Sequence, residues 1–174
     1  MDYNEMVEQH RSIVENISAG REIIFPIGIA ASIANPVVNP PWIISNLDNL
    51  DSTVSSRLLE KVFCAIRKGN FNELPSHSVV ESISYHAKRI AFLTRKDSWY
   101  DPVVVDSDAH LSNDHPFIDG NHRLYAAIIR GDKNIKVNFV GNTENIIDIV
   151  EEIFKEAENL IGNKIYEDKM SISV

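Results

Sequence analysis

The chain has 174 residues, enough for one domain with a proper core. Its 44% hydrophobic and 24% charged content is ordinary for a globular protein, and a net charge of -8 argues against a broad nucleic-acid-coating surface while leaving room for a local basic patch. Cys64 is the only cysteine, which excludes an internal disulfide and makes a poor zinc signature; no apolar run approaches a membrane span, and the polar start lacks a secretory pattern, so a cytoplasmic protein is expected.

Residues 1–20 read as an N-terminal helical extension: Met6, Ile13, Val14 and Ile17 recur among charges, and Gly20 stops them. Glu22 to Ile29 reads as a strand, with Pro26 marking an edge or a bulge. Three prolines between Asn35 and Pro41 predict an irregular connection, anchored by Trp42, Ile43 and Ile44. Asp51 or Ser52 can cap the next helix, which carries Val54, Leu58, Val62, Ala65 and Ile66 at helical spacing and ends at Gly69. Cys64 inside it reads as a small buried filler rather than a nucleophile. After a loop at 69–77, Ser78-Val79-Val80-Glu81 is a capping box for a helix through Ile83, Ala87, Ile90, Ala91 and Leu93. His86 and Arg89 stand one turn apart on it. A solvated face is the plainer reading, and a ligand-facing pair is the alternative.

Asp101-Pro102 breaks the helical run, and Val103 to Val105 is a buried-strand signal closed by Asp106. A polar loop follows at 107–114, then a short strand at His115 to Ile118. Leu124, Ala127 and Ile128 face the core from a helix that Gly131 ends. Ile135, Val137 and Phe139 alternate with polar residues in a half-exposed strand. Asn142 or Thr143 caps the last helix, which carries Ile146, Ile149, Val150, Ile153, Ala157, Leu160 and Ile161. Gly162 is its natural stop, so residues 142–174 read as a C-terminal helix and a loose tail.

The chemistry gathers in His115-Pro116-Phe117-Ile118-Asp119-Gly120-Asn121-His122-Arg123, where a strand signal meets a helix start. Unpaired N–H groups and the macrodipole favour an anion there. Gly120 permits a sharp turn and a close approach, and Asn121 is a good N-cap. His122 and Arg123, with Arg89, can supply positive charge. Asp119 offers hard oxygen to magnesium, ahead of Asp106 and Asp108, and His115 titrates near neutrality as a base should. The plainer alternative is that Asp119 and Asn121 cap the helix while Arg123 pairs with an acid. The six histidines show no zinc-helix spacing.

This order of elements, with Gly120-Asn121-His122-Arg123 at the turn, resembles the ParB/sulfiredoxin-like superfamily over about residues 80–141. The resemblance implies a single α+β domain, a small mixed sheet flanked by helices. It also implies binding of ATP or another nucleoside triphosphate with Mg2+, through the turn Gly120, Asn121, His122 and Arg123; on their own chemistry Arg89 can add charge to that site, Asp119 can hold the metal, and His115, Asp119 and His122 are the candidate catalytic groups. Members hydrolyse nucleotides or transfer phosphoryl groups; some plasmid-encoded ones are ATPases and nucleases that interfere with conjugation. Expected partners are therefore a nucleotide and a protein of a mobile element. A non-catalytic, nucleotide-gated inhibitor module is the alternative. Asn121 replaces the sulfiredoxin cysteine, and His122 replaces the second arginine of the ParB turn. The same letters are similar to the Fic/Doc core motif, which implies AMP or phosphate transfer with His115 as base. That fold is all helical, whereas a Val-rich strand precedes the motif here.

Overall fold

The computed structural model describes residues 3–42, 52–74, 82–95, 99, 101–108 and 117–171. The expected capping box at 78–81, the anchors Ile43 and Ile44, and most of the 107–114 loop lie outside them, as does His115. Among the described residues, six helices and four strands form an α+β fold: α1 (Tyr3–Ser18), β1 (Ile23–Pro26), α2 (Ile27–Ile33), α3 (Ser52–Arg67), α4 (Ile83–Leu93), β2 (Val103–Asp106), β3 (Phe117–Asp119), α5 (Asn121–Arg130), β4 (Asn134–Val140) and α6 (Thr143–Ser171).

The sheet order is β1-β4-β2-β3. β2 runs parallel to β4, with Val103 opposite Val137. β1 pairs antiparallel on the far side of β4, and β3 pairs antiparallel with β2 across an irregularity between Val104 and Val105. The mixed sheet matches the expected class and departs from the all-helical alternative.

Two corrections follow from local chemistry. The strand expected through Ile29 ends at Pro26, an edge position that suits a residue without an N–H. Ile27 sends its own N–H to Lys133 O and opens α2 instead. The last helix does not stop at Gly162 but runs to Ser171. One glycine costs a helix only about 1 kcal/mol, which its neighbours offset. The Asn142 cap holds: Asn142 Oδ1 accepts the Glu144 N–H at 2.8 Å.

The core has two parts. Phe25, Val103, Val105, Val137, Ile149 and Val150 belong to a cluster between the sheet and α1 and α6. Leu58, Val62, Ala87, Ile90 and Leu93 form a second, where α3 packs on α4. Helix α5 is buried toward both. Leu124 and Ala127 join the first cluster, and Tyr125 and Ala126 the second. Its N-terminus therefore sits where the two cores meet.

Candidate functional site

Gly120 is the N-cap of α5, at φ 89° and ψ 9°. Its positive φ explains why glycine stands there. The second reason is steric: a Cβ would lie 2.7–2.9 Å from Val103 atoms, including the backbone Cα. The close approach at Gly120 is thus to strand β2. Leu124 N–H donates to Gly120 O at 2.8 Å, so the N–H groups of residues 121–123 precede the first intrahelical bond.

The residues around it are partly spoken for. Asp119 Oδ1 accepts the Gly120 N–H at 2.7 Å, and its Oδ2 accepts from Arg123 Nη2 at 2.8 Å. Arg123 Nη1 also donates to Asp101 O at 3.1 Å and lies 3.8 Å from the Asp101 carboxylate. The Arg123 side chain is only 12% exposed, while those of Asp101 and Asp119 are 90% and 71% exposed. Asn121 is not the N-cap that its residue type suggests. It is the first helical residue, and its Nδ2 donates to Phe117 O at 2.7 Å, pinning α5 to β3.

His122 is not the cation expected of it. Its Nε2 lies 2.9 Å from His86 Nδ1, within one hydrogen bond. The two rings are 15° from coplanar, and the Trp42 indole covers both, with centroids 4.7 Å from His86 and 4.3 Å from His122. Burial lowers the His86 pKa to about 4. Burial, then the proximity of His86, Arg89 and Arg123, lowers that of His122 to about 3. Both imidazoles are neutral at pH 7. His86 is 4% exposed, so it does not sit on the solvated face that the plainer reading gave it.

A cleft of ≈ 400 Å³ opens beside this cluster. Arg89, His122, Arg123, Asp101 and Asp119 line its polar end. Phe92, Leu93 and Trp99 make an apolar wall, with Glu73 also at the lining. Arg89 reaches the cleft from α4 and donates to Leu74 O. Arg130, which the sequence did not single out, sets the wall. Its Nη1 donates to Leu93 O at 3.2 Å and Arg95 O at 3.3 Å, at the end of α4, and its guanidinium lies 5.3 Å from the Trp99 ring centroid. Trp99 Nε1 also donates to Leu93 O, at 2.9 Å.

Of the expected site residues, the fold brings Arg89, Asp119, Gly120, His122 and Arg123 to one cleft, and turns Asn121 toward β3. Trp42, Trp99 and Arg130 are the additions. Only Trp42 carried a signal, as an apolar anchor after a proline-rich connection. No described helix is long and apolar enough to cross a membrane, and no group of three or more His, Cys, Asp or Glu among the described residues is placed to hold a metal. Compared with known proteins, the chain matches no family model, no curated protein and no solved structure at a significant level.

Proposed function

We propose that the protein binds a nucleoside phosphate, with its phosphates at Arg89, Arg123 and the first turn of α5, and its base against Phe92 and Trp99. One observation carries this: two guanidinium groups, a helix N-terminus and an aromatic wall share a single cleft. The resemblance of Gly120-Asn121-His122-Arg123 to the ParB/sulfiredoxin-like turn supports the same ligand class.

The metal expectation fits in a limited form. Mg2+ is commonly held by one or two carboxylates together with substrate phosphates and water. Asp101 and Asp119, both exposed and both beside Arg123, suit an ion brought in with the ligand. Bound there, Mg2+ would neutralise phosphate charge next to two carboxylates that otherwise repel it.

Binding is better supported than turnover. His122 is neutral and tied to His86, which leaves it no free acid or base role at the cleft. That favours the nucleotide-gated module over the phosphotransferase. The Fic/Doc alternative loses support because β3, not a helix, leads into Asp119-Gly120.

The test is thermal unfolding with ATP, CTP, GTP and ADP, each with and without Mg2+. Ligand at a hundred times its Kd stabilises by about 2.7 kcal/mol, or roughly 5–10 °C for a chain of this size. A saturable rise is expected for at least one nucleotide, and Arg123→Lys and Arg89→Gln should abolish most of it. Identical curves with and without every nucleotide would remove the proposal. Phosphate release by wild type that Asp119→Asn eliminates would restore the enzyme reading.

A further inference from the structure

Charge is unevenly laid along this chain. Between Arg57 and Arg95 stand seven basic residues and three acidic ones, in a chain with 17 basic and 25 acidic residues overall. This stretch includes most of α3 and all of α4, which pack on each other. Arg57, Lys61, Cys64 and Lys68 recur at helical spacing, so they mark one flank of α3 and the turn beyond it. Lys88 meets that flank from α4. A groove of ≈ 170 Å³ runs between the helices, rimmed by Lys61, Lys68 and Lys88 and floored by Cys64, Ala65 and Ala87. The four cations are exposed, and none of them pairs with an acid among the described residues. Like charges one turn apart on a helix repel, and an acidic ligand seated on this face would relieve that repulsion.

We propose that the α3–α4 groove docks an acidic amphipathic polypeptide segment, with its carboxylates on the lysine rim and an apolar side chain on the Cys64-Ala65-Ala87 floor. The proposal does not depend on the nucleotide cleft. Two features favour a polypeptide over a nucleic acid. A duplex presents a phosphate charge about every 1.7 Å and continues beyond any small patch. Outside 57–95, acidic residues outnumber basic ones more than two to one, so the continuing strand meets repulsion. Among the described residues that line it, the groove also offers no aromatic ring for a base to stack on; its floor is small and apolar. A short segment ends inside the patch and uses both features.

Cys64 makes the groove self-reporting, because it is the chain's single thiol and lies in the groove. The probes are a fluorescein-labelled helical peptide of Glu with Leu at every fourth position, a polyglutamate of equal charge, and a single-stranded oligonucleotide of equal length. Fluorescence anisotropy gives affinity; the rate of Cys64 modification by a chromogenic disulfide gives occupancy. The Leu-bearing peptide should bind, should slow Cys64 modification, and should bind about tenfold more weakly to Lys61→Glu/Lys88→Glu. A matched reversal at Lys133 and Lys155 should leave its affinity within about twofold. Equal affinity for polyglutamate, or an unprotected Cys64, overturns the proposal. Tighter binding of the oligonucleotide with protection of Cys64 overturns it in favour of nucleic acid.

Discussion

Gly120 is held by two constraints at once, its positive φ and the Val103 backbone behind it. Left-handed backbone costs a side-chain residue about 1–2 kcal/mol, and forcing atoms into a packed site costs about 1–3 kcal/mol more. Gly120→Ala should therefore lose roughly 2–5 kcal/mol in urea unfolding. Gly20 also has positive φ, but a Cβ there meets nothing within 4 Å. Gly20→Ala should lose only the backbone share; equal losses at the two positions would mean that Val103 yields freely. Asp119 makes a second prediction. Its carboxylate competes with any anion for Arg123. Asp119→Asn should tighten metal-free pyrophosphate binding several-fold, by about 1 kcal/mol, while weakening whatever part of nucleotide binding needs Mg2+. Titration calorimetry with and without Mg2+ separates the two, and a weaker metal-free complex would contradict this account of the cleft. The sequence made this cluster legible because polar groups of several kinds crowd one glycine. It misassigned two members for physical reasons. Asn121 has the residue type of an N-cap, but the left-handed turn starts the helix one residue earlier. His122 has an ordinary imidazole, and the indole that buries it stands 80 residues upstream, where no local pattern reveals it.

At the scale of elements, α4 and α5 are joined by the His86–His122 hydrogen bond beneath Trp42. Both pKa values lie below the free imidazole value of 6.5, at about 4 and about 3. Between those values and 6.5 the unfolded chain binds more protons than the folded one, so stability falls as pH falls. The contribution is whole above pH 6.5 and is drained progressively toward pH 4 and then 3. A tenfold change in proton affinity is worth about 1.4 kcal/mol, so the decline amounts to several kcal/mol for the pair. Urea unfolding at pH 7.5, 6, 5 and 4 should show that decline, and it should be shallower in His86→Gln/His122→Gln. An unchanged slope in the double variant would place the pH dependence elsewhere. The elements themselves were largely readable. Helices α3, α4 and α5 follow their apolar spacing, and β4 its alternation. The misses fall where one signal serves two structures. Ile27-Gly28-Ile29 is an apolar run that suits a strand or a short helix, and the position of Pro26 on the sheet edge decides between them. The capping box at 78–81 lies outside the described residues, and the cap of α4 is Ser82, whose Oγ accepts the Tyr85 N–H at 3.2 Å.

For the molecule as a whole, α5 decides whether two cores behave as one. Leu58 lies in the α3–α4 cluster and Leu124 in the sheet cluster, both fully buried, and Leu124 is followed at once by Tyr125 in the other cluster. The helical spacing of Leu124, Ala127 and Ile128 marked the sheet-facing side in the sequence, but nothing marked Tyr125 and Ala126 as members of a second core on the other side. A helix buried on both sides cannot leave one core without exposing the other. The clusters should therefore melt together. Leu58→Ala and Leu124→Ala should each cost about 2–5 kcal/mol, and each should shift one transition rather than split it. Trp42 packs against the α3–α4 cluster, Trp99 packs against both, and far-ultraviolet circular dichroism follows the helices throughout. Coincident fluorescence and dichroism curves are expected for both variants. If Leu58→Ala instead releases the tryptophan signal well before the helical one, α5 is not the shared support, and the cleft at its N-terminus would open when the α3–α4 cluster alone unfolds.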